Sequence, residues 1–287
     1  MLTNRKIAFI GSGVMAEAMV AGLLREGSAG AGALIAAEPR PERLAELRDR
    51  YGIEGTQDNA AAARRCDIIV LSVKPQTLNK ALGSLKGHVL PDALVLSIVA
   101  GAPIAKISAG LGHKAVVRSM PNTPAQIGEG ITVWTAAPEV TQQQRDMACQ
   151  VLKVLGQEVF VEDESYLDMA TALSGTGPAY VFLFMEALVD AGVHLGFHRS
   201  IAEKLVAQTV RGSVDFYLKQ DAGTHLASLR NQVTSPSGTT AAALYYLEKA
   251  GFRTAISRAI WAAYERSREL GKGANAHLPD ADKPDSD

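Results

Sequence analysis

The sequence predicts an α/β protein: a doubly wound parallel sheet with helices on both faces, then an all-helical domain. Three observations predict it. Short continuous Val/Ile/Leu runs alternate with helical segments through the first part of the chain, the pattern of strands buried on both faces. A glycine-rich turn joins the first run to the first helix. From about residue 164 the strand-like runs stop and long helical periods take over.

Residues 7–11 are the first apolar run and 14–26 the first helix. A second strand at 33–38 leads into a helix over 41–51. The run Asp-Ile-Ile-Val-Leu-Ser-Val at 67–73 reads as a fully buried strand, and 94–99 and 116–120 repeat the pattern. Further strands are expected at 131–135 and 158–161, with a helix over 142–155 between them. The character changes at 163–168. Helices follow at 178–195, 200–218, 226–231, 236–250 and 253–270, separated by Gly and Pro. Ser200, with Glu203 three residues on, reads as the capping box of the second of these. The expected organisation is therefore a dinucleotide-binding domain over 1–163 and a helical dimerisation and substrate domain over 164–273. The tail, 274–287, holds Pro279, Pro284 and four aspartates without apolar periodicity, and is expected to be disordered.

Composition bounds the function. The chain has 287 residues, 47% of them hydrophobic, enough for a substantial core. A net charge of -1 and scattered Lys and Arg argue against a nucleic-acid surface. Cys66 and Cys149 have no metal or redox spacing and read as small buried apolar residues in a reducing, cytoplasmic setting. His88, His113, His194, His198, His225 and His277 share no metal spacing either, so no metal site is expected. No leader is read at the N-terminus, and the apolar runs read as too short or too interrupted by charge to span a bilayer. The helical half is more apolar than about a hundred residues can bury alone, which points to a homodimer through interleaved helices.

Two loops carry the chemistry. In Gly11-Ser12-Gly13-Val14-Met15-Ala16 the pattern GxGxxA follows a strand and opens a helix, the context of a Rossmann-type dinucleotide fingerprint. Gly11 permits the tight turn, Gly13 lets a pyrophosphate approach the backbone, and Ala16 allows close helix packing. Glu38, ending the second strand, would accept hydrogen bonds from a ribose diol and favour NAD. Arg40, two residues on, would instead cover a 2′-phosphate, so the preference stays open. Ser72-Val73-Lys74-Pro75, Ala100-Gly101 and Met120-Pro121-Asn122-Thr123-Pro124 end successive strands, the edge at which ligands of doubly wound sheets bind. The second loop is Val233-Thr234-Ser235-Pro236-Ser237-Gly238-Thr239-Thr240. Dense in hydroxyls and set at a helix N-terminus, it presents backbone N–H groups to an anion such as a small carboxylate.

These segments, with Leu173-Ser174-Gly175-Thr176-Gly177-Pro178-Ala179-Tyr180 and Leu247-Glu248, resemble the pyrroline-5-carboxylate reductase family over about residues 5–271. The resemblance implies reduction of 1-pyrroline-5-carboxylate to L-proline with NADPH, or NADH. It implies a dimer with interlocked helical domains, sometimes built into rings such as a decamer. Val233, Ser235, Ser237, Gly238, Thr239 and Thr240 would take the substrate, with Thr240 beside the ring nitrogen. Asn59 and Thr176 would join the nucleotide site. Ser237 stands where the family often has Gly. Two enzyme alternatives remain, a reductase of another cyclic imino acid and a 3-hydroxyacid dehydrogenase; against the latter, 179–195 has no lysine. A binding protein without turnover is the third.

Overall fold

The computed structural model describes residue 2 and residues 4–272. The expectation for 274–287, His277 included, lies outside the described residues. By internal contacts the chain divides into two units. The first runs through Thr176 and resumes at Ala263, and the second is Gly177–Ala262. The compact units thus meet at 176/177, after the change of character at 163–168, and the end of the last helix belongs to the first unit.

In the first unit, β1 (Ile7–Ile10), α1 (Val14–Arg25), β2 (Leu34–Ala37), α2 (Pro41–Tyr51), β3 (Glu54–Thr56), α3 (Asn59–Ala63) and β4 (Ile68–Leu71) come in turn. Then come α4 (Leu78–Leu85), β5 (Leu94–Ser97), α5 (Ile104–Leu111), β6 (Val116–Met120), β7 (Gly130–Ala136), α6 (Gln142–Lys153), β8 (Gly156–Phe160) and α7 (Tyr166–Ala170). The strands form one sheet in the order β3-β2-β1-β4-β5-β6-β7-β8. β1, β2, β4 and β5 are buried along their whole length, which is why they read as unbroken apolar runs. Period-2 alternation sorts their side chains into two layers. Ile7, Phe9, Ile68 and Val70 share a core with Met19 and Leu23 of α1 and Val151 of α6. Ala8, Ile10, Ile69 and Leu71 share the other with α3, α4 and α5. Each fully buried Ile, Leu or Phe contributes about 1.5–3 kcal/mol.

Two departures from the expected sheet have simple causes. β3 escapes the apolar criterion because it is a three-residue edge strand, Glu-Gly-Thr, and is largely exposed. β6 and β7 pair antiparallel. Only a short loop with a 3₁₀ turn at Thr123–Ile127 joins them, too little for the crossover a parallel pair requires. α3, α4 and α5 are short helices that the sequence pattern did not resolve.

After α7 the helix widens into one π turn, Thr171–Gly175. Thr176 N–H reaches back to Thr171 O at 2.8 Å. A Cβ on Gly175 would lie 2.7 Å from Met120 Cε, so the turn packs closely on the end of that methionine side chain.

The second unit holds α8 (Gly177–His194), α9 (Arg199–Leu218), α10 (Leu226–Gln232), α11 (Thr239–Lys249) and most of α12 (Phe252–Lys272). α9 begins one residue before Ser200, with His198 at its cap position and no side-chain capping bond. α11 begins at Thr239, three residues later than expected, because Pro236 and Ser237 form a turn. α8 and α9 pack as a hairpin, with Ala202 buried against Gly192. Much apolar surface stays outside: Phe182, Leu183, Leu195 and Leu218 are 63% to 83% exposed. Against the sequence expectation, Tyr166–His194 is long and apolar enough by length and composition to cross a membrane. That apolarity belongs to exposed faces of α8, the surface a protein partner would cover.

Candidate active site

The candidate residues fall into two groups, one in each unit. In the first unit, the parallel strands release their loops at one sheet edge. Gly11 follows β1, Glu38 follows β2, Ser72–Pro75 follow β4, Ala100 follows β5, and Pro121 and Asn122 follow β6. The strand order reverses around β1, between β2 and β4, which opens the switch-point crevice there. Gly11 adopts φ +85°, and a Cβ on it would meet Val73 Cγ1 at 2.7 Å. Ser72 Oγ donates to Gly11 O at 2.6 Å, fixing one wall to the other. Gly13 is the cap residue of α1 and no side chain caps that helix, leaving its first amides for an anion. A Cβ on Gly13 would meet nothing within 4 Å, so the backbone there is open to close approach. The Ser12 hydroxyl is buried and has no hydrogen-bond partner among the described residues. An uncapped helix, an open glycine and an orphaned hydroxyl together fit the pyrophosphate of a dinucleotide.

Charges around this loop are arranged by residues the sequence reading did not single out. Glu17, in the first turn of α1, would oppose an anion. It accepts hydrogen bonds from Arg43, Arg50 and Tyr51. Burial alone would raise its carboxyl, but these bonds outweigh it and hold Glu17 below the usual range, its charge matched by two guanidinium groups. Arg43 also donates to Ser12 O at 2.9 Å. The signal was present in the basic spacing of α2, but only the packing of α2 on α1 shows its target.

The remaining nucleotide candidates are unevenly placed. Val14 is exposed and Met15 half-buried at the start of α1. Lys74 is exposed, flanking a 3₁₀ turn opened by Pro75. Asn122 uses Oδ1 to accept Ile131 N–H at 3.0 Å, holding the start of β7. Thr176 spends its hydroxyl on Thr171 O at 2.9 Å. Asn59 donates to Ser84 Oγ at 3.0 Å, and the cap of α3 is Asp58. Cys66 is buried, its thiol pushed up to about 11 by desolvation. Cys149 is only half-buried and contacts Glu158, because the exposed edge strand β8 covers it incompletely.

The second group is the loop before α11. Gly238 N–H donates to Ser235 O at 3.1 Å, closing a four-residue turn. Pro236 suits its second position, while Ser237, its third, sits at φ +59°, the left-handed region that favours glycine. Gly238 is the cap residue of α11, again without a side-chain cap, so the amides that follow face outward from a positive helix end. A Cβ on Gly238 would lie 2.4 Å from Ser235 Oγ. Thr240 is half-buried in the first turn, and Val233, Ser235 and Thr239 are exposed. This arrangement can hold a carboxylate on backbone amides and present a hydroxyl beside it.

Comparison with known proteins places these features in a family. Residues 164–270 match the model for pyrroline-5-carboxylate reductase dimerisation. Residues 6–101 match that for NADP oxidoreductase, coenzyme F420-dependent. The chain is 42% identical over 267 residues to a pyrroline-5-carboxylate reductase of Synechocystis, covering 93% of this chain and 98% of the relative. It is 39% identical over 272 residues to the Pseudomonas aeruginosa enzyme of that name, covering 94% and 98%. Among solved structures it resembles the Plasmodium falciparum pyrroline carboxylate reductase with NADP bound, with TM-score 0.85, 34% identity and coverage of 93% and 98%.

Proposed function

The chain belongs to the pyrroline-5-carboxylate reductase family, and we propose that its two uncapped helix ends divide the work of the family's reaction. The protein is an NAD(P)H-dependent oxidoreductase acting on a C=N bond, reducing 1-pyrroline-5-carboxylate to L-proline, the last step of proline synthesis. When bound, NAD(P)H supplies the hydride for the imine carbon.

Gly11, Ser12, Gly13 and the first amides of α1 hold the pyrophosphate. The strand-end segments Ser72–Pro75, Ala100 and Met120–Asn122 line the edge along which the nucleotide lies. The π turn Thr171–Gly175 lies against Met120 at the end of β6, and Thr176 follows it. The amides of Gly238–Thr240 take the substrate carboxylate, with Ser235 bracing the turn and Val233 and Ser237 flanking it. Thr240 donates or relays a proton at the ring nitrogen. A cyclic imine is partly protonated in water, so orientation matters more than a strong acid.

The single observation that carries this division is the uncapped N-terminus of α11 behind the strained Ser235–Gly238 turn. α8 contains no lysine, which disfavours the hydroxyacid dehydrogenase alternative. The helical unit makes the protein an oligomer. We read that oligomer as a homodimer in the cytoplasm, able to assemble further into a ring. The test is steady-state oxidation of NADPH and NADH with pyrroline-5-carboxylate and with its six-membered analogue. Turnover is expected with the five-membered ring, and its absence with both would overturn the reading.

A further inference from the structure

The loop between β5 and α5 carries Ala100 to the sheet edge assigned to the nucleotide, and its anchor comes from the far end of the chain. Ala100 is half-buried, while Gly101 and Ala102 are buried. Gly101 turns the chain at φ +66°, in the left-handed region that favours glycine. A Cβ on it would lie 3.0 Å from Leu270 Cβ and 3.2 Å from Gly271 N, in the last turn of α12. Gly271 returns the contact, since a Cβ on it would lie 3.1 Å from Gly101 O. Two glycines thus let the backbone of the loop rest on the backbone of the helix. Ser267, one turn earlier on α12, is buried and donates its hydroxyl to Asp168 Oδ1 at 2.8 Å. Asp168 is in turn held by Arg118 at 3.0 Å. The same group of charges fixes the other end of the loop: Glu164 Oε1 accepts Ile104 N–H at 2.8 Å and Arg118 Nη1 at 3.0 Å. All of these residues lie in the first unit.

We propose that the last turns of α12, through Ser267 and Gly271, are the positioning element of the β5–α5 loop, and that they set how tightly the nicotinamide half of the nucleotide is held. A dinucleotide straddles the switch point of a doubly wound sheet, one half on each side of it. Here the switch lies between β2 and β4. The adenosine half belongs with Glu38 after β2, and the nicotinamide half with the loops after β4, β5 and β6. Only the nicotinamide half meets the loop that α12 braces. Ser267 and Gly271 stand four residues apart on one face of the helix. The first anchors the helix to Asp168, and the second delivers its backbone to Gly101. Both act through the loop and not on the nucleotide. This inference rests on the reading of the chain as an NAD(P)H-dependent reductase.

The test measures equilibrium binding of NADPH, NADH and adenosine 2′,5′-bisphosphate by calorimetry, with the KM for the imino acid at saturating NADPH. The proteins are the full chain and its Ser267→Ala, Ser267→Thr and Gly271→Val variants. Ser267→Ala and Gly271→Val are each expected to weaken NADPH and NADH alike, about threefold or more. The bisphosphate, which lacks the nicotinamide half, and the KM for the imino acid are expected to stay within about twofold of the unaltered protein. Ser267→Thr, which keeps the hydroxyl, is expected to restore nucleotide affinity to within about twofold. Unchanged NADPH and NADH affinity in both Ser267→Ala and Gly271→Val would overturn the proposal. So would an equal weakening of the bisphosphate, the mark of a merely structural role. Should Gly271→Val not fold, the two Ser267 variants decide by themselves. Failure of the unaltered protein to bind either nicotinamide nucleotide would instead overturn the reductase reading beneath it.

Discussion

Ser237 carries the clearest tension between a side chain and its backbone. At φ +59° a residue with a Cβ costs about 1–2 kcal/mol relative to glycine. The turn holds it there so that the amides beyond point outward. Ser237→Gly is therefore expected to leave the KM for the imino acid unchanged or lower. Ser237→Val, whose branched side chain resists this region, should raise it several-fold, about 1 kcal/mol or more, with NADPH affinity unaltered. Steady-state kinetics beside nucleotide titration separates the two. Thr240 in the next turn is assigned to chemistry, so Thr240→Ala should lower kcat about tenfold, the value of one hydrogen bond. NADPH affinity should be nearly unchanged, and a parallel collapse of cofactor binding would show that the loop is not a separate substrate clamp. Sequence marked both positions, but it left Ser237 as a departure of unknown consequence. Its backbone angle depends on closure of the turn from Ser235 to Gly238, which no local pattern states.

Elements of the first unit are joined by a polar network that no motif announced. Arg118 on β6 is buried and forks to Glu164 and Asp168, each at 3.0 Å. Glu164 also accepts Ile104 N–H at the start of α5, and Asp168 accepts Ser267 Oγ from α12. One guanidinium thus ties a strand to the segment leading into α7, and through it to α5 and α12. Arg118→Met leaves two carboxylates facing each other without their cation, and should cost about 3 kcal/mol, measured as a lower denaturation midpoint. Arg118→Lys, which keeps the charge without the fork, should cost less, and equal loss in both variants would show that shape, not charge, matters there. A lone arginine in an apolar strand was readable only as an oddity. Its partners lie 46 and 50 residues away in sequence, and long-range pairing is invisible to periodicity.

At the scale of the whole molecule, the helical unit is too apolar on its outside to stand as a monomer. Leu183 on α8 is 67% exposed, within the segment that matches the dimerisation model. Leu183→Glu should shift the protein toward monomer in light-scattering chromatography while the far-ultraviolet signal of the fold persists. A variant with an unaltered mass would place the subunit contact elsewhere. The sequence by itself determined the order of layers, the two anion loops and the surplus of apolar helix, because buried strands, glycine turns and amphipathic faces are local in sequence. Tertiary structure decided the antiparallel turn of β7, the edge strand β3, the division at 176/177 and the occupation of both Glu38 oxygens, by Ser12 N–H and Arg40 Nε. Each of these depends on which distant groups meet: a loop too short for a crossover, a neighbour that pairs an edge, or a donor that reaches a carboxylate first.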